Sequence, residues 1–205
     1  MSLEVKLGIV EILKDTGVSD VIKNFLNLIV GDKLSIKRIK NLEKILIEAK
    51  IKDPIALRVL SDKFNVNFFL QASLEDQDYM QNLYSNLLSN TIEDTKLNLS
   101  LSFLSILKDL DTVSAKILHK IASTEIDKMP NLKPDDFYEF GCTNLDIMQI
   151  FDNLARLGLI KIIDSITING KKPSYPKAMQ LIKDSNTYYL KSDLGQNFYK
   201  YVSKK

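Results

Sequence analysis

The chain has 205 residues, of which 45% are hydrophobic and 26% charged, and its formal net charge is +2. That composition suits one or two small domains with a real core, and the near-neutral balance carries no mandate for nucleic acid. A single cysteine, Cys142, excludes an internal disulfide and fits a reducing cytoplasm.

Charge is unevenly spread. Residues 1–66 carry 12 basic and 9 acidic side chains, residues 67–136 carry 6 and 11, and residues 137–205 carry 10 and 6. An acidic middle between mildly basic ends gives a weak preference for end-to-middle contacts, within the chain or between copies. No secretory leader is expected, because Glu4 precedes the first apolar run and no small-residue cleavage site follows it. No apolar run approaches the roughly 20 residues of a membrane span.

In chain order, Val5, Ile9, Ile12 and Leu13 predict a short amphipathic helix ended by Gly17. Val18, Val21, Ile22, Phe25 and Ile29 predict a second, ended by Gly31 and Asp32. Leu26, Leu28 and Val30 make Val18–Val30 apolar on more than one side. A helix packed between neighbours is the preferred reading; docking on a partner or a membrane surface is the alternative. The scarcity of flanking lysines weakens the membrane version. Ser35–Lys50 predicts a third helix, with Ile39, Leu42, Leu46 and Ala49 inward and Lys37, Arg38, Lys40, Glu43 and Lys44 in water. Asp53 and Pro54 read as a helix start, Asp as cap and Pro at the first helical position, for a fourth helix from Ile55 to about Phe64.

Phe68–Ser123 is the expected centre of the fold. Ser73 followed by Asp76, with Glu75 and Asp78 nearby, reads as a capped helix start. Met80, Leu83, Tyr84, Leu87 and Leu88 then form one apolar face, and Gln81, Asn82, Ser85, Asn86, Ser89 and Asn90 take the other. Leu97, Leu99, Leu101 and Phe103 alternate as in a strand. Helix is preferred, because Phe103, Ile106, Leu107 and Leu110 continue at helical spacing. Asp111–Ser123 adds Ile117, Leu118, Ile121 and Ala122.

Beyond Ser123 the texture changes. Met129-Pro130 and Lys133-Pro134 mark a loop. Pro134–Phe140 predicts a short helix stopped by Gly141. Thr143 caps a longer one, with Ile147, Ile150, Phe151, Leu154 and Ala155 inward and Gly158 at its end. Leu159–Ile168 reads as a strand, Asn169-Gly170 as a hairpin-type turn, and Asn186–Leu190 as a second strand. Ser192–Val202 predicts a last helix with Leu194, Phe198, Tyr201 and Val202 on one face. Helix, helix, helix, strand, turn, strand, helix is the order of a winged helix-turn-helix.

The runs Leu83–Thr91, Ser102–Asp111 and Ala115–Leu118 resemble the Abi-alpha family, an abortive-infection family of bacterial proteins largely of unknown function. Asp152–Ile160, with Leu190, Leu194, Gly195 and Phe198, is similar to that family's C-terminal part. The resemblance covers roughly Ile51 to Val202. The family often has a His-Pro pair before the Ser102-Phe103 position, but Ser100 and Leu101 stand there in this chain. A role for that histidine is therefore not carried over.

In a winged helix the third helix enters the major groove. Here its outward face would carry Asp146, Gln149, Asp152, Asn153 and Arg156. Gln149 and Asn153 suit adenine edges and Arg156 a guanine. Two carboxylates beside one guanidinium oppose the phosphate contact that supplies most of the binding. Lys171 and Lys172 at the wing tip suit phosphate better, with Lys161 and Lys177 nearby. The bland alternative is a solvated helix face and a basic turn. Protein contact through this helix or the wing, including self-association, is preferred over DNA.

Catalytic and metal signals are weak. His119 is the single histidine, so a zinc site of clustered His and Cys is not expected. Its ordinary reading is a surface or half-buried helix residue, and Cys142 reads as a small buried residue, with a lowered thiol pKa as the alternative. No Gly-x-Ser-x-Gly, phosphate-cradling or calcium loop occurs. Glu75-Asp76, Glu93-Asp94 and Asp135-Asp136 sit at predicted helix ends, where capping explains them.

The expectation is a mainly α protein. Residues 1–110 form an N-terminal helical bundle, and residues 111–205 a winged-helix-like α+β module. It is expected to be cytoplasmic and non-enzymatic, to need no cofactor or metal, and to meet an unidentified protein partner or further copies of itself, without membrane binding. The resemblance implies phage defence by abortive infection. The alternative is a winged-helix DNA-binding regulator. The candidate contact residues are Gln149, Asn153, Arg156, Lys171 and Lys172.

Overall fold

The structure, a computed structural model, describes residues 35–51, 57, 60–93, 100–124, 134–164 and 187–203. The two helices expected before Ser35, the Asp53-Pro54 start and the Asn169-Gly170 turn lie outside the described residues. So do Lys171 and Lys172.

The described residues are mainly helical. They form α1 (Ser35–Glu48), α2 (Asp62–Leu74), α3 (Asp78–Glu93), α4 (Ser100–Lys108) and α5 (Thr112–Ser123). A 3₁₀ helix (Pro134–Phe140), α6 (Asn144–Arg156), β1 (Ile160–Asp164), β2 (Thr187–Lys191) and α7 (Asp193–Val202) follow. The chain divides into two compact units, Met1–Thr112 with Lys200–Lys205, and Val113–Tyr199.

In the first unit, α1 buries Ile39, Leu42, Ile45 and Leu46, and Ala49 is buried in the turn that follows. Its polar side is fastened to the junction of α2 and α3. Lys37 pairs with Asp76 and Lys44 with Asp78, both at 2.6 Å, and the Asn41 amide donates to the Ser73 carbonyl at 3.1 Å.

Two expected boundaries are corrected here. The helix expected to end near Phe64 instead starts at Asp62, where the Ser61 hydroxyl accepts from the Phe64 N–H at 3.2 Å. Ser73, expected to open a helix, lies in the last turn of α2, fully buried, and its hydroxyl donates to the Leu70 carbonyl at 2.9 Å. Burial outweighs the local cap signal. Phe64, Phe68, Phe69 and Ala72 all enter the core, and the Phe64 and Phe68 rings stack at 5.7 Å. Such burial is worth about 1.5–3 kcal/mol per large side chain, more than a cap supplies.

On α3, Met80, Leu83, Tyr84, Leu87 and Leu88 are buried as the spacing requires. Burial pushes the Tyr84 phenol above its ordinary pKa, and nearby Glu75 adds to the effect. The opposite face is not simply solvated. Gln81 and Ser85 are buried. Asn86 and Asn90, one turn apart, donate to the Val202 and Tyr201 carbonyls at 2.9 and 2.6 Å. The last carbonyls of a helix have no partner within it, so these two asparagines satisfy the end of α7. Tyr201 also packs against Phe103 of α4 at 5.3 Å.

The second unit is built around Phe137, Ile147, Phe151 and Leu154, all essentially inaccessible to solvent. Phe137 of the 3₁₀ helix meets Phe151 of α6 edge to face at 5.3 Å. Lys120 of α5 pairs with Glu139 at 2.9 Å, donates to the Asp136 carbonyl, and lies 5.3 Å over the Phe137 ring. The Pro134–Phe140 segment is thus held as a 3₁₀ helix in the described structure.

β1 and β2 pair antiparallel from Ile160 opposite Lys191 to Asp164 opposite Thr187. Their placement on α6 follows from a Schellman ending. Gly158 N–H bonds the Ala155 carbonyl and Leu159 N–H the Leu154 carbonyl, both at 2.9 Å, with Gly158 at φ +74°. That left-handed conformation is easy for glycine and turns the chain directly into β1.

Candidate functional site

The outward face of α6 carries most of the contact residues expected from the sequence, and its geometry begins at the N-cap. The Asp146 N–H donates to the Thr143 hydroxyl, while Thr143 N–H and Oγ1–H donate to Asp146 Oδ2 at 2.8 and 2.7 Å. This capping box stabilises the start of α6. The Thr143 hydroxyl and then its backbone N–H hold the Asp146 carboxyl below its ordinary pKa, so a negative charge is fixed there at neutral pH.

Gln149, Asp152 and Arg156 are exposed, and Asn153 is half-buried. The structure does bring Asn153 and Arg156 together. Arg156 Nε and Nη2 both donate to Asn153 Oδ1, at 3.2 and 2.9 Å. Adenine reading needs that same oxygen as acceptor for the base amine, so Asn153 must first release Arg156. The face therefore combines two carboxylates with one partly engaged guanidinium. Phosphate contact needs a positive excess. Of the candidate residues, Lys171 and Lys172 would supply it, and they lie outside the described residues.

Apolar groups stand beside this polar row. Leu145 is 60% exposed and Tyr138 46%, and the Tyr138 hydroxyl donates to Asn144 Oδ1 at 2.6 Å. Sequence reasoning passed over both. A signal for Leu145 existed: it precedes Ile147 by two residues, which turns it away from the Ile147, Phe151 and Leu154 side of the helix.

The sequence model of the abortive infection alpha family matches residues 32–202. The chain belongs to this family. No curated protein and no solved structure matches it.

In this abortive infection alpha chain, His119 is exposed and meets Tyr199 edge to face at 5.1 Å, with the Tyr199 oxygen 3.4 Å from Nε2. Cys142 is half-buried, its thiol 3.8 Å from the Phe140 carbonyl oxygen. Among the described residues, no group of three or more His, Cys, Asp or Glu side chains stands ready to hold a metal ion. Nor is any described helix long and apolar enough to cross a membrane.

The first unit of the family chain carries its own surface features. A groove of about 370 Å³ runs between α2 and α4, with Lys63, Asn67 and Gln71 on one wall and Ser102, Ser105 and Lys108 on the other. Beside it, Val66, Leu70 and Leu74 are 49%, 42% and 55% exposed. The helix end expected near Phe64 and the start expected at Ser73 hid this stripe, because they left Val66 and Leu70 outside any expected helix. Read over Asp62–Leu74, the helix is apolar on opposite sides, which one core alone does not explain.

Proposed function

We propose that this chain acts in phage defence by abortive infection, in the cytoplasm, and through contact with a protein partner rather than through a reaction of its own. Membership of the abortive infection alpha family supports the defence role. The observation that carries the contact reading is the α6 surface, where exposed Leu145 and Tyr138 stand with Gln149, Asn153 and Arg156. Tyrosine and arginine are among the side chains that dominate protein interfaces. The second unit is read as winged-helix-like, from three helical segments followed by an antiparallel strand pair and a helix.

The test is plaque formation on cells expressing the chain. Leu145→Asp and Arg156→Glu change only exposed side chains and leave folding intact. Loss of protection by both, with unchanged circular dichroism, supports the reading; full protection by both overturns it. Capture from infected cells, comparing wild type with Leu145→Asp, then identifies what the face binds.

A DNA-binding regulator is the second reading, favoured by the major-groove chemistry of Gln149, Asn153 and Arg156. Gel shifts at low and moderate salt, with and without Lys171→Glu and Lys172→Glu, test it. Absence of binding at every salt concentration removes it.

A further inference from the structure

We propose that the α2 stripe Val66, Leu70 and Leu74 is a self-association surface, occupied by α2 of a second copy running antiparallel. The proposal concerns a different surface from the α6 face and goes beyond the contact reading above; only its role in defence rests on that reading.

The three side chains recur every fourth residue, so they form one ridge along a helix about 20 Å long. They are 42–55% exposed, although the opposite side of the same helix fills the core with Phe64, Phe68 and Phe69. The ridge is self-complementary. In an antiparallel contact centred on Leu70, Leu70 meets Leu70, and Val66 of each copy meets Leu74 of the other.

Charge fixes the direction. Centred in this way, Lys63 at the start of α2 comes opposite the Glu75–Gln77 stretch that follows α2 in the second copy. Lys63 is exposed, Glu75 half-buried and Asp76 exposed. The Lys37 ammonium holds the Asp76 carboxyl below its ordinary pKa, so it stays charged near neutrality. A parallel pairing would instead place Lys63 beside Lys63. The positive start of each helix dipole also meets the partner's acidic end. One helix face falls well short of the ~800 Å² per partner of a standard interface, so the dimer is weak and forms with rising concentration.

A twofold axis at Leu70 makes a sharp test. The full chain carrying Cys142→Ser and Leu70→Cys, oxidised mildly at high concentration, is expected to give a disulfide-linked dimer on non-reducing gels. Asn82→Cys, exposed on α3, is expected not to. Sedimentation of the cysteine-free chain follows a concentration-dependent dimer. Lys63→Glu raises the midpoint roughly three- to tenfold, and adding Glu75→Lys restores it. Leu70→Glu, an exposed change that leaves the melting curve intact, abolishes the dimer.

A monomer at every concentration overturns the proposal. So does a dimer that Leu70→Cys fails to link. A monomeric Leu70→Cys chain whose introduced thiol resists maleimide also overturns it, because the stripe is then covered by the same chain. Failure of the defence reading appears separately: the Leu70→Cys chain forms its cross-link, yet expression of the unsubstituted chain leaves plaque counts unchanged.

Discussion

Gly195 lies so close to the Leu159 backbone that a Cβ built on it would stand 1.9 Å from the Leu159 carbonyl oxygen. The approach is organised by Ser192. Its N–H donates to that same carbonyl at 3.3 Å, its hydroxyl donates to the Gly158 carbonyl, and its Oγ accepts from Gly195 N–H at 2.8 Å. Ser192 thus caps α7 while tying it to the turn that ends α6. Both glycines belong to one junction, for different reasons: Gly158 supplies the left-handed backbone, and Gly195 supplies the missing side chain.

Gly195→Ala is therefore expected to cost about 3 kcal/mol, because the clash is with backbone and the neighbour has no flexible end to move. Gly158→Ala is expected to cost about 1–2 kcal/mol for the positive φ, since its Cβ would meet only the end of Leu194 at 3.3 Å. Urea denaturation of the two variants checks both size and order. A Gly195→Ala chain as stable as wild type would remove this account of the junction.

The asparagine pair on α3 leads to a second prediction. Replacing Asn86 or Asn90 by alanine leaves a carbonyl at the end of α7 without its donor. Each change should lower stability by about 1–2 kcal/mol. Asn82→Ala is the control. Asn82 is exposed and its amide donates to the Asp78 carbonyl within its own helix, so the change should stay within about 0.5 kcal/mol. Thermal melts of the three variants separate the cases, and equal melting temperatures would show that the α7 carbonyls need no such partner.

Stability should depend on acid pH through Lys37 and Asp76. The Lys37 ammonium, by hydrogen bond and then by charge, lowers the Asp76 pKa from its ordinary 3.8. A carboxyl depressed on folding contributes stability that is fully present above 3.8. The contribution is lost as pH falls from there through the lower folded value. Asp76→Asn removes it at neutral pH and flattens the acid limb of the urea midpoint against pH. Both groups are largely exposed, so the effect is small and salt weakens it. An acid limb identical in the variant and the wild type would contradict the assignment.

Much of the fold can be seen in the residue spacing, and the exceptions have physical causes. The inner face of α3 follows from periodicity and the Thr143 cap from its residue type, and two strands stand near the expected positions. The boundaries of α2 do not. Ser73 and Asp76 carry a genuine capping pattern, but Ser73 is drawn into the core with Phe68, Phe69 and Ala72, and long-range burial prevails. Asn86 and Asn90 read as solvent-facing, since nothing local shows that α7 ends against them. On the candidate face, residue types reveal what Asn153 and Arg156 are each able to contact in isolation. They do not reveal that the two side chains bind each other.

That mutual bond yields the last prediction. Arg156 spends two donors on Asn153 Oδ1, and Asp152 lies exposed on the same helix. A sequence-specific duplex contact here must break the Asn153–Arg156 bond and bring phosphate toward Asp152, and both steps disfavour it. Any duplex retention at low salt should accordingly be independent of sequence and vanish at moderate salt. Asp152→Lys should strengthen it without adding sequence preference, because it changes charge and not base reading. Arg156→Ala should weaken it equally on all sequences. Competition gel shifts with unrelated duplexes measure this, and one preferred site that loses its advantage on Arg156→Ala would instead establish base readout by α6.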